Sequence, residues 1–124
     1  MVLQFMNEQM TALGIPYEFG EWTSEDKTLY FVGELPSPES ITTEDGQEEQ
    51  AFFLNGWHTG DKYSLEVIKN KIKKHFHPSY GFRASTEEGT IVCFYEGAFF
   101  VETGVGGVNR IQINLRIKQW KGDF

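Results

Sequence analysis

The chain has 124 residues, one cysteine and a net charge of −7. That length suits one domain whose core needs no staples, and a lone Cys93 excludes an internal disulfide framework and fits a reducing compartment. No apolar run approaches the roughly 20 residues of a membrane span. The start lacks a signal-peptide pattern, and the acidic balance argues against general nucleic-acid affinity, so a cytoplasmic product with no membrane partner is expected.

Val2 to Leu13 reads as a helix, with Leu3, Met6, Met10 and Leu13 as one apolar stripe. Gly14 suits the C′ position, and Pro16 blocks continuation. Thr28 to Glu34 reads as a strand with Leu29 and Phe31 on one side, Tyr30 and Val32 on the other. Residues 35–48 are broken by Pro36 and Pro38, then turn acidic at Glu44, Asp45, Glu48 and Glu49. Asp45-Gly46 is a good hairpin turn pair, and Ala51 to Trp57 is the next strand.

Asp61 suits the N-cap of a second helix reaching about His75, with Leu65, Ile68, Ile72 and Phe76 as its buried stripe. Glu66 near its start and Lys71, Lys73 and Lys74 near its end follow the helix dipole. Pro78 and Gly81 end it. Ile91 to Tyr95, a turn at Glu96-Gly97, and Ala98 to Val101 read as a hairpin. A loop with Gly104, Gly106 and Gly107 leads into Arg110 to Trp120. There Ile111, Ile113, Leu115 and Ile117 alternate with Arg110, Gln112, Asn114, Arg116 and Lys118, the period of a half-buried strand. The expected fold is a single α+β domain over residues 1–124. It has one mostly antiparallel sheet of about five strands and two helices on one face.

Two features point to association. The hairpin is apolar on both faces: Ile91, Cys93, Tyr95 and Phe100 on one, Val92, Phe94, Phe99 and Val101 on the other. Two helices bury only one face. The other is covered by the 35–48 loop, by the 77–90 segment or by another subunit. The expected oligomer seam is placed on Ile91, Cys93, Tyr95 and Phe100. Charge is also divided: residues 1–50 carry eleven acidic groups and one lysine, residues 51–124 seven acidic and ten basic. Chance with one acidic loop accounts for this, and so does head-to-tail association of unlike surfaces.

Chemistry is hard to find. His75 and His77 form an H-x-H with His58 elsewhere, but that spacing splits the rings between faces and supplies no metal-ligand motif. They read as surface or capping residues, and no metal or cofactor is expected. Cys93 lies mid-strand among apolar neighbours, where a thiol is a small hydrophobe. The lysines of the second helix, with Lys69, suit a solvated face. The 104–107 glycines precede a strand, whereas a phosphate loop needs a helix N-terminus. No nucleophile, base and orienting group stand together, so an enzyme is not expected.

Four stretches carry a family likeness: Leu13-Gly14-Ile15-Pro16 with Tyr17 to Trp22, Tyr30 to Glu34, the acidic Thr42 to Gln47 turn leading into Phe52 to Gly56, and Arg110 to Leu115 with Trp120. In this order, with helix two, the chain resembles the small tail-terminator, or tail-completion, proteins of long-tailed bacteriophages, in the version found in phages of Gram-positive bacteria. One departure is a first helix that begins almost at Met1. The resemblance implies a ring, typically of six copies, at the head-proximal end of a tail tube. The ring stops tube growth and offers a surface to the head. The partners implied are further copies of the chain, the tail tube protein and the head-tail connector protein. The implied locations are the host cytoplasm during assembly and then the virion. DNA would pass through without specific binding, and Glu44, Asp45, Glu48 and Glu49 are expected to face the lumen. Two alternatives are a head-completion or minor capsid protein of the neck, and a small prophage-encoded binding module.

Overall fold

The structure is a computed structural model and describes residues 1–36, 41–42 and 47–121. In chain order the elements are α1 (Val2–Ala12), β1 (Tyr17–Phe19), β2 (Leu29–Glu34), β3 (Ile41–Thr42), β4 (Gln47–Thr59), α2 (Tyr63–His75), β5 (Phe82–Thr86), β6 (Gly89–Val101) and β7 (Val108–Lys121). The fold is α+β. Among the described residues the strands make one sheet in the order β1-β2-β4-β7-β6-β5. The two-residue β3 pairs with the start of β4, on the side that β2 takes further along. All pairs are antiparallel except β1–β2. The sheet is therefore larger than expected and mixed. The added strands β1 and β3 have three and two residues, too few for a period to emerge in sequence, and the five-residue β5 carries only Phe82 and Ala84 as apolar residues.

The hairpin expected at Glu96-Gly97 does not form. Gly89 to Val101 is one strand, and its register against β7 slips between Tyr95 and Gly97. The extra residue is a β-bulge. It keeps Ile91, Cys93 and Tyr95 on the same face as Ala98 and Phe100, since all five lie opposite inward β7 residues or their neighbours in the same row. A parity change in an apolar pattern marks a bulge as readily as a turn. β3 pairs antiparallel with the start of β4, Ile41 with Glu49 and Thr42 with Glu48; the expected Asp45-Gly46 turn lies outside the described residues.

Both helices cover one face. Ile111, Ile113, Leu115 and Ile117 of β7 are all buried there with Phe31, Phe52, Leu54, Ile91 and Cys93. Each such side chain contributes roughly 1.5–3 kcal/mol by leaving water. From α1 come Val2, Phe5, Met6 and Met10, while Leu3 is exposed. The stripe is turned from the one expected, because Phe5 reaches between Phe76 and Phe82, at 6.4 and 6.2 Å between centroids. The helix ends as Gly14 predicts. Gly14 takes φ +71°, its N–H donates to Thr11, and the Ile15 N–H donates to Met10, which is a Schellman cap. From α2 come Leu65 and Ile72 and from its C-cap Phe76, all fully buried. The N-cap of α2 is Lys62, one residue after the expected Asp61; Asp61 still accepts from the Ser64 N–H at 2.7 Å, and this bond holds its carboxyl below the usual range. Tyr95 N–H donates to the Phe76 carbonyl at 2.8 Å, tying the helix end to β6.

Candidate functional site: the open face of the sheet

Alternation sends the remaining side chains of the long strands to the opposite face, which neither helix covers. Across β2, β4, β7 and β6 these include Tyr30 and Val32, Phe53, Asn55 and Trp57, Arg110 through Lys118 at every second position, and Val92, Phe94, Phe99 and Val101. Phe99 is 50% exposed. Val32, Phe53, Phe94 and Val101 are half-buried.

At one end the rings stand in a file. Trp22 stacks on Tyr30 and Tyr30 on Trp57, each pair with centroids 5.1 Å apart. Arg110 closes the file over Trp57 at 5.1 Å. Arg110 Nη2 also donates to Asn55 Oδ1 at 2.9 Å, and Asn55 is itself buried. Further along, Phe94 lies under Arg116 at 5.2 Å and Lys118 at 5.8 Å. Arg116 is held between Glu96 at 3.2 Å and Glu49 at 3.6 Å. The face is thus apolar in patches, amide-rich between Gln112 and Asn114, which bond at 3.0 Å, and stiffened by cation–π contacts. Rings stacked on one another and capped by arginine leave little aromatic face for a base to stack on. The arrangement suits contact with another protein surface.

The expected seam falls on the wrong side. Ile91 and Cys93 are fully buried and Tyr95 is 8% exposed, all beneath the helices. Burial also pushes the Cys93 thiol well up. Phe100 alone of the four reaches solvent, at the strand end with Lys62 over its ring at 5.4 Å. The four share a face as expected, but it is the face that α1 and α2 close. The apolar residues left open are their neighbours, Val92 aside: that side chain is buried at 7%. The acidic lumen loop also changes. Glu44 and Asp45 lie outside the described residues. Glu48 and Glu49 belong to β4, where Glu48 meets Lys121 at 3.5 Å and Gln119 at 3.3 Å, and Glu49 meets Arg116. Cross-strand β7 supplies these partners, so the two carboxylates do not form a free acidic loop.

The histidines sit in separate networks, and among the described residues no group of His, Cys, Asp and Glu gathers to hold a metal. His58 Nδ1 accepts from the Asp61 N–H at 3.2 Å, and His77 Nδ1 from the Ser79 and Tyr80 N–H groups. These are local turn caps. His75 is neither surface residue nor cap. It stacks on Phe82 with centroids 4.4 Å apart and bonds Gln9 of α1 at 2.8 Å, and burial holds its pKa below the ordinary 6.5. The unfolded chain therefore takes up a proton near pH 6.5 that the folded chain resists. Stability is full above about pH 6.5 and falls as pH drops through that value. Urea midpoints between pH 7.5 and 5.5 are expected to fall less steeply in His75→Gln than in the parent chain; equal slopes would contradict this account of the α1–α2 contact.

The glycine loop at 104–107 lines a surface hollow with Lys62, Thr103 and Arg110. It runs directly into β7. Among the described residues no helix is long and apolar enough to cross a membrane.

The architecture defines a mixed-sheet α+β domain with one closed and one open face. No protein-family model and no curated protein matches the chain. Nineteen solved chains do match in structure. One of them aligns over 94% of this chain and 88% of its own length, with a TM-score of 0.65 and 12% identity. At that identity the likeness shows a common fold.

Proposed function

We propose that the chain is a phage assembly protein. Copies of it form a ring that caps the head-proximal end of a tail tube, halts tube growth and presents a surface to the head connector. The observation that supports this reading most is the open sheet face. That face carries Phe99 at 50% exposure among the half-buried Val32, Phe53, Phe94 and Val101, a surface suited to a neighbouring subunit or to the last tube ring. The resemblance of the four stretches names the assembly, and the division of charge along the chain suits unlike surfaces meeting head to tail.

The mechanism needs no reaction. One side of the ring matches the end of the tube. The opposite side does not, so a further tube subunit finds no complementary surface. Specificity of this kind rests on shape and charge, which the locked rings and ion pairs of the open face hold in a fixed arrangement.

Removing the gene from its parent phage or prophage tests the reading. Overlong tubes without heads are expected in the lysate under the electron microscope. Tails of normal length would reject termination. Normal tails and separate full heads would instead place the protein in the neck.

A further inference from the structure

We propose that the outward stripe of α2 docks on the acidic rim beside β1 of a second copy of this chain. The inference rests on the ring reading and adds the seam by which the copies join.

The α2 stripe is built by helical spacing. Tyr63, Val67, Asn70 and Lys74 lie on the side opposite Leu65 and Ile72. Tyr63 is 75% exposed and Val67 48%, two large apolar groups on a solvated helix. Lys71 and Lys73 flank them and are exposed, although Lys71 also donates to the Leu13 carbonyl and Lys73 lies over the Tyr95 ring at 5.7 Å. Between residues 62 and 74 there are five lysines and one glutamate, and that glutamate pairs with Lys69 at 2.6 Å.

The rim has the opposite character. Residues 18–26 hold four carboxylates and no cation. Glu21, Glu25 and Asp26 are exposed; just before them in the chain, Phe19 is 42% exposed and packs on Phe52 at 6.1 Å, on the closed side of the sheet edge. The segment is held in one shape: Glu18 accepts from the Thr23 N–H and hydroxyl at 2.7 Å each, and Trp22 Nε1 donates to the Asp26 carbonyl at 2.8 Å. Each patch therefore joins an apolar anchor to an excess of one charge, and the signs differ. Burying Tyr63 and Val67 against Phe19, with lysines against carboxylates, satisfies both patches together.

Their positions also fit. The helix lies on the closed face of the sheet, whereas Trp22 places the rim at the border of the open face. A copy that engages its neighbour through α2 keeps its own rim free for the next. Such a head-to-tail contact is heterologous and closes into a ring when its rotation allows.

Charge exchange tests the seam. The reversal pair Lys71→Glu and Lys74→Glu is expected to weaken association roughly tenfold or more per reversed contact. The pair Glu21→Lys and Glu25→Lys should do the same. All four substitutions in one chain should restore assembly, because every seam then carries exchanged charges. Sedimentation velocity reads the mass, and circular dichroism confirms that each variant is folded. Wild-type assembly should also weaken as salt rises. The inference is overturned if the wild-type chain stays monomeric at every soluble concentration, or if either reversal pair assembles normally. It is also overturned if the fourfold variant stays dissociated, which would assign the α2 lysines to a tube protein, a connector or DNA. Assembly by this seam in a phage whose tails need no terminator would instead sink the functional reading alone.

Discussion

Gly56→Val is expected to destabilise the chain by about 3 kcal/mol. A Cβ at Gly56 would sit 2.3 Å from two ring atoms of Phe31. Phe31 is fully buried and lies directly across from Gly56 in the β2–β4 pairing, so its ring occupies the space that a side chain would need. Gly56 does not have a positive φ; the demand for glycine here is purely one of volume. Gly33 repeats the device, where a Cβ would meet the Tyr17 hydroxyl oxygen at 2.3 Å and Phe52 at 2.8 Å. Urea unfolding should show a lower midpoint with an unchanged slope. Phe31→Ala and Gly56→Val combined should cost less than the sum of the two alone, since removing the ring removes the clash. An unchanged midpoint for Gly56→Val would contradict the packing of Phe31 over the strand.

Glutamate at position 95 and glutamate at position 99 should have opposite consequences. Tyr95→Glu places a carboxylate among buried apolar groups of the closed face, at a cost of roughly 3–5 kcal/mol if it stays charged. The variant is expected to unfold or to express poorly. Phe99→Glu changes a half-exposed ring on the open face, with an effect on folding within about 0.5 kcal/mol. Its folded chain should nevertheless fail in assembly, because the same carboxylate is desolvated once the open face is covered. Thermal unfolding and sedimentation of both variants read the two effects separately. A stable Tyr95→Glu chain would overturn the burial of that side chain. Normal assembly and function of Phe99→Glu would show that the open face stays open.

Much of this frame can be read from the residues, and the misses share a cause. The period of two from Arg110 to Lys118 names β7 because both faces of a long central strand are written in the chain. Gly14 and Asp61 mark helix ends because their roles are local. The bulge near Glu96 was ambiguous in the sequence because Glu-Gly with a parity change is compatible with either a turn or an inserted residue. What decides is the long β7 partner, which offers hydrogen bonds to the whole of β6. Which apolar face of β6 the helices take is likewise settled by pairing with Ile113, Leu115 and Ile117, a relation between distant segments. The same holds for Glu48 and Glu49, which follow Glu44 and Asp45 in sequence but whose partners across the ladder include Gln119, Lys118 and Arg116. The ring file of Trp22, Tyr30 and Trp57 left one signal that sequence reading did not use: Tyr30 and Trp57 both occupy outward positions of their strands.

The central claim is that this protein sets the end of tail growth. The most direct measurement is the distribution of tube lengths in lysates of a deletion strain, with and without the wild-type gene supplied in trans. The account predicts a broad distribution extending well beyond the normal length in the deletion strain, collapsing to one narrow peak on complementation. A single narrow peak at the normal length in the deletion strain would contradict it.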